Sequence, residues 1–105
     1  MEKATRKQHR NRAGLFKFLG QINMTARKAC VLNTLALCEE ADVMMSDLRE
    51  YVGISPAGIT GLVDALEAED LVERTDHPED RRVQLIRLTE KGHCLANSIA
   101  TIWNN

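Results

Sequence analysis

Between Leu48 and Leu66 the chain reads LREYVGISPAGITGLVDAL, and its centre, Gly53-Ile54-Ser55-Pro56, restricts the fold more than any other stretch. Glycine supplies the left-handed conformation that ends a helix. Ser55-Pro56 supplies an N-cap followed by proline at the first helical position, where its missing N–H and fixed φ do no harm. With so few residues between exit and entry, the two helices must cross steeply, as in a helix-turn-helix. Ser46 is expected to cap the first helix, with Asp47 in its first turn and Leu48, Tyr51 and Val52 on its buried side. In the second helix, 55–69, Ile59, Leu62, Val63 and Leu66 recur with a helical period and form the core face. Ala57, Thr60, Gly61, Asp64 and Ala68 fall opposite them.

The flanking segments complete the pattern. Ala13 to Ile22 is a short helical stretch with Leu15, Phe16, Leu19 and Ile22 on one face. Thr25 caps a helix expected to reach about Glu40, apolar on nearly all sides and therefore central. ADVMM offers two or three strand residues. LVERT and VQLIRL read as two strands around a seven-residue loop, Asp76 to Arg82, in which Pro78 suits the second position of a turn over His77–Asp80. Thr89 caps the last helix, whose apolar side is Leu95, Ile99, Ile102 and Trp103. A helix-turn-helix followed by a hairpin wing is an architecture that binds nucleic acid: the second helix fits the major groove and the hairpin tip reaches the flanking backbone or minor groove. Arg81 and Arg82 sit at that tip.

Ser46–Gly92, SDLREYVGISPAGITGLVDALEAEDLVERTDHPEDRRVQLIRLTEKG, resembles the DNA-binding core of the MarR family of bacterial transcriptional regulators. The resemblance rests on Ser-x-x-x-x-Thr-x-x-Val-x-x-Leu, Leu-Val-Glu-Arg, Asp-Arg-Arg and Leu-Thr-x-x-Gly taken together. It implies a homodimer that represses promoters by binding double-stranded DNA. By motif position, Arg82 would enter the minor groove, Asp80 would orient it, and Arg81 would meet phosphate. In the recognition helix the implied contacts are Ser55, Ala57, Gly58, Thr60 and Gly61. The family often carries arginine after the threonine, where this chain has Gly61, so base readout in the major groove is expected to be weak. With Asn105 as the last residue, the dimerisation helices are expected to be shortened, leaving Phe16, Phe18, Leu95, Ile99, Ile102 and Trp103 as interface candidates. The family's release by a small phenolic ligand or by cysteine oxidation finds no support here. The scaffold for a pocket is short, and nothing beside Cys30 marks a low-pKa thiolate.

Composition limits the alternatives. A chain of 105 residues holds one core, so the expected organisation is a basic flexible arm, 1–12, and one mainly α winged helix-turn-helix domain, 13–105, with a small β-hairpin. Residues 1–28 carry eight Lys/Arg against Glu2 alone, while the other 77 residues carry six basic and fourteen acidic side chains. Arg6, Lys7, Arg10 and Arg12 can bind a phosphate backbone, although charge alone fits a merely solvated arm equally well. Three cysteines without CxxC, and scattered histidines, give no metal site or cofactor. The acid pairs Glu39-Glu40 and Glu69-Asp70 splay around a helix, and His93-Cys94 point apart, so no catalytic constellation forms. No apolar run is long enough to span a bilayer, and the N-terminus lacks the apolar region and cleavage site of a signal peptide, so a cytoplasmic location is expected. The competing reading is a winged-helix module that docks on another regulator, as accessory or antagonist, through its acidic recognition helix.

Overall fold

The computed structural model describes residues 13–38 and 41–104. Helix α1 covers 13–21. It is followed by α2 (Ala26–Leu37), β1 (Val43–Met44), α3 (Met45–Val52), α4 (Pro56–Ala68), β2 (Val72–His77), β3 (Asp80–Leu88) and α5 (Glu90–Asn104). The strands form one antiparallel sheet in the order β1-β3-β2. This is the winged helix-turn-helix expected from the sequence.

The turn at its centre follows the local chemistry. Gly53 adopts φ 75°, ψ 38°, and its N–H donates to the Arg49 carbonyl. The Ser55 hydroxyl then accepts from the Gly58 N–H at 3.1 Å, with Pro56 opening α4. Thr25 caps α2 in the same way, accepting from the Lys28 N–H at 3.2 Å. The helices close over Val31, Leu32, Leu48, Ile59, Val63, Leu66, Val72 and Ile86, all essentially buried. Each such side chain contributes about 1.5–3 kcal/mol relative to exposure.

Six local expectations need correction. On α3, Tyr51 is 64% exposed instead of lying on the buried side, and Leu48 is the residue buried there. Helix α2 stops at Leu37, because Cys38 turns extended and leads the chain towards β1; Glu40 lies outside the described residues. Nor is α2 buried all round. Ala29, Val31, Leu32 and Leu35 pack inward, while Cys30 is exposed and Leu37 is 75% exposed. Helix α3 begins one residue before Ser46, with Met44 in the cap position and no side-chain cap bond. Met44 is already held extended by pairing with Leu85, so the sheet rather than a hydroxyl sets that helix start. The hairpin loop, too, is much tighter than seven residues. β2 runs to His77 and β3 resumes at Asp80, a bulge between Asp76 and His77 absorbs the mismatch, and only Pro78-Glu79 form the turn. Arg81 and Arg82 therefore stand on β3. In α1, finally, the inward face is Leu15, Phe18 and Leu19, whereas Phe16 and Ile22 face outward.

Helix α5 is seated on the exit of α4. The Leu71 N–H bonds back to the Leu66 carbonyl, and Asp70 takes a left-handed φ of 61° to make the turn. The Thr89 hydroxyl donates to the Asp70 carbonyl at 2.7 Å and accepts from the Gly92 N–H at 3.0 Å, capping α5. A Cβ at Gly92 would lie 2.0 Å from the Leu71 carbonyl oxygen, so only glycine fits. By contrast, a Cβ on Gly61 would meet nothing within 4 Å. Gly92→Ala is expected to destabilise the fold by about 3 kcal/mol, the upper end for overpacking. Gly61→Ala, in an exposed helix interior, should instead stabilise it by roughly 0.5–1 kcal/mol. Urea unfolding of both variants checks the contrast; equal effects would mean α5 is not seated this tightly.

Candidate nucleic-acid interface

The outward side of α4 is built from small and hydroxylic residues. Ala57, Thr60, Gly61 and Ser55 are exposed, and Gly58 is half-buried beneath the Ser55 hydroxyl. The Ala57 N–H has no helical acceptor, because four residues back the chain is still in the turn. It lies in the first turn, at the positive end of the helix dipole. The Thr60 hydroxyl donates to the Pro56 carbonyl at 2.9 Å. Its proton is therefore committed, and towards solvent Thr60 offers an acceptor and a methyl group.

The hairpin supplies charge. Arg82 is 91% exposed, yet it is held in place. Its Nε meets Asp80 Oδ1 at 3.1 Å, a terminal guanidinium nitrogen meets Oδ2 at 3.1 Å, and its backbone N–H donates to Oδ1 at 3.0 Å. This fork fixes the guanidinium plane in a way a single contact could not. The Arg82 side chain and then its backbone N–H lower the Asp80 pKa below the ordinary 3.8. Beside them, the Glu79 N–H donates to His77 Nδ1 at 3.1 Å, tying the turn to its own strand.

Helix and hairpin share one groove of about 430 Å³, lined among others by Thr60 and Pro56 of α4, Arg81, Arg82 and Gln84 of β3, and Arg49 of α3. Thr60, Arg81 and Arg82, three of the residues expected to touch DNA, are thus brought to one concave surface. Asp80 acts on it through Arg82, while Ser55, Ala57, Gly58 and Gly61 lie along the same helix. Arg49 was not expected here. Its only signal was its place in the last turn of the helix before the turn, too weak to separate it from a solvated arginine. Arg74 was also missed. It ends the Leu-Val-Glu-Arg motif, and it bonds Asp64 and, at 3.1 Å, Glu67.

The other expected sites fall elsewhere. Arg6, Lys7, Arg10 and Arg12 lie outside the described residues. Of the interface candidates, Phe16 is 57% and Trp103 41% exposed, Phe18, Leu95 and Ile102 are half-buried, and Ile99 is buried in the chain's own core. Among the described residues, no group of three His, Cys, Asp or Glu could hold a metal ion, and no helix is long and apolar enough to cross a membrane.

Residues 22–83, more than half of the chain, match the sequence model of the MarR family. The HTH-type transcriptional regulator PrsX of Escherichia coli is 32% identical over 88% of this chain and 55% of its own length. YdgJ, an uncharacterised HTH-type transcriptional regulator of Bacillus subtilis (strain 168), is 40% identical over 58% of this chain and 38% of its own. The chain thus spans about half or less of the relatives it matches. Among solved structures, a mutant of S. aureus MepR bound to an oligodeoxyribonucleotide superposes with a TM-score of 0.83 at 22% identity, over 91% of this chain and 70% of that one.

The Asp80 fork gives a pH test. Because the carboxyl pKa is lowered, the tether should persist as pH falls to 3.8 and be lost only below it, as pH passes through the lowered value. The Arg82 Nε–H resonance in nitrogen-resolved NMR should follow that course. In Asp80→Asn it should already be averaged and fast-exchanging at neutral pH; an unchanged resonance there would mean the fork does not hold Arg82 in solution.

Proposed function

The chain belongs to the MarR family, and we propose that it is a sequence-directed double-stranded DNA-binding transcriptional regulator, not an enzyme, acting as a cytoplasmic repressor. In this reading α4 enters the major groove with Ser55, Ala57, Gly58, Thr60 and Gly61 at its contact surface. The hairpin carries Arg82 into the adjacent minor groove, Asp80 orients it, and Arg81 meets phosphate. The observation that carries the reading is the single groove shared by Thr60, Arg49, Arg81 and Arg82, with Arg82 presented to solvent by a carboxylate fork. The fork narrows the orientations open to an arginine on the strand beside the hairpin turn.

The assembly is a homodimer formed through α1 and α5, where Phe16, Leu95, Ile102 and Trp103 supply apolar surface and Ile99 supports them from beneath. Two-fold symmetry would set the two α4 helices in successive major grooves about 10 bp apart on a pseudo-palindrome. The basic cluster Arg6, Lys7, Arg10 and Arg12 would add sequence-independent affinity and steepen the salt dependence. The competing protein-docking reading rested on an acidic α4, and that premise is weakened because Asp64 and Glu67 are paired with Arg74.

Fluorescence anisotropy with labelled random and A/T-rich duplexes, at low and moderate salt, tests the proposal. Wild type should bind with steep salt dependence. Arg82→Ala should weaken binding by about 1 kcal/mol or more, the scale of a hydrogen bond to a charged group. Thr60→Ala should alter base preference and leave thermal unfolding unchanged. No binding by folded wild type at low salt would overturn the DNA reading; unchanged affinity in Arg82→Ala would remove the hairpin from it.

A further inference from the structure

Helix α4 carries acids where a DNA-binding helix can least tolerate them. Asp64 lies one turn beyond Thr60 on the same outward face, about 6 Å along the axis, and Glu67 lies another turn on. Neither stands bare. The Arg74 guanidinium bonds Asp64 and, at 3.1 Å, Glu67. Arg74 is opposite Ile86 in the hairpin register, so its side chain leaves β2 on the face that packs against the helices. Only 18% of that side chain is exposed. Glu73, one residue earlier, pairs across with Arg87 and points to the other face. Glu69, at the end of α4, is engaged separately by Lys28 at 2.6 Å.

A guanidinium already shared between two carboxylates, on a side chain only 18% exposed, is poorly placed to touch phosphate itself. It is well placed to turn the carboxylates away from the groove and to screen them. We propose that Arg74 is the positioning residue that makes the recognition helix compatible with a phosphate backbone, by holding Asp64 and Glu67 against β2. The inference rests on the DNA-binding reading above. In keeping with it, the hydrogen bonds to Asp64 and then to Glu67 raise the Arg74 pKa.

The test is a set of full-length variants titrated with the same random duplex. Arg74→Met keeps the aliphatic stem that packs and removes the charge. It should bind roughly tenfold more weakly at about 50 mM salt, with the deficit shrinking as salt screens the released acids. Adding Asp64→Asn and Glu67→Gln to Arg74→Met should restore wild-type affinity to within a few-fold. Adding Glu73→Gln and Glu90→Gln instead gives the same net charge and should not. Arg74→Lys, which keeps the charge but loses the fork, should fall between wild type and Arg74→Met, and it stands in if the methionine variant does not fold.

Wild-type affinity in Arg74→Met, or in its place a loss in Arg74→Lys that Asp64→Asn and Glu67→Gln do not repair, overturns the assignment. Rescue by neither pair would make Arg74 a purely structural residue, and equal rescue by both pairs would reduce the effect to bulk charge. Either result also overturns it. If wild type itself binds no DNA at low salt, the functional reading fails, and this inference fails with it.

Discussion

The carbonyl groups of Glu69, Asp70 and Leu71, just past α4, tie the exit of that helix to the start of α5. A helix terminus leaves its last carbonyls without helical partners; here the N–H groups of Glu69, Asp70 and Leu71 take those of Ala65, Glu67 and Leu66, and the three carbonyls that follow face α5. Lys91 Nζ reaches the Glu69 carbonyl at 3.0 Å, the Thr89 hydroxyl reaches that of Asp70, and the Thr89 N–H meets that of Leu71 at 3.1 Å. Gly92 then presses its bare Cα onto Leu71. The recognition helix, the start of the hairpin and the start of α5 are consequently one rigid junction. In the proposed dimer this has a mechanical meaning. A tilt of α5 against its partner would be carried to α4 without slack, so the spacing between two recognition helices would be set by how the α5 helices pack.

Charge is distributed by strand parity as much as by sequence. On β2, Glu73 and Arg74 are neighbours that face opposite sides of the sheet, one towards Arg87 and one towards α4. Arg87 in turn forks onto Asp42 at 2.7 and 3.0 Å, lowering the Asp42 pKa and fixing the entry to β1. A chain with a net charge of −1 therefore presents Arg49, Arg81 and Arg82 in its groove while Asp64, Glu67 and Asp80 are each paired with an arginine. Net charge alone says little about such a surface, because affinity for a polyanion depends on which charges face it.

Much of this was legible from residues that act locally. Gly53, Ser55, Pro56, Thr25 and Thr89 each fix their own few residues of backbone, and each does in the structure what its chemistry dictates. Ser46 and the hairpin loop misled for one shared reason: pairing in the sheet decided where those elements began. Met44 is extended because of Leu85, and residues that looked like a loop are drawn into strands once Pro78-Glu79 close the turn. The helix faces of α1 and α2 were misjudged because a short apolar stretch fits several faces, and only the packing of α5 and α4 selects one. The Arg74–Asp64 pair was invisible for a related reason. Ten residues separate the partners in sequence, and nothing in either one's own surroundings announces that a turn folds one onto the other.

The absence of any arginine or lysine on the outward side of α4 changes where sequence preference can arise. A bidentate arginine–guanine contact, worth about 1–3 kcal/mol of discrimination, is not open to this helix. Thr60, whose hydroxyl donates to the Pro56 carbonyl, can accept from an exocyclic amino group or lay its methyl against that of thymine. Small residues around it allow close approach but read little by themselves. In the proposed complex the burden would shift to Arg82, and there the carboxylate fork would matter. A freely rotating arginine would follow the potential of any minor groove, whereas one held in a fixed plane fits best where the groove is narrow and its potential deepest, as in A/T-rich tracts. Preference in such a complex would come from the shape of the DNA under the hairpin more than from base edges under the helix.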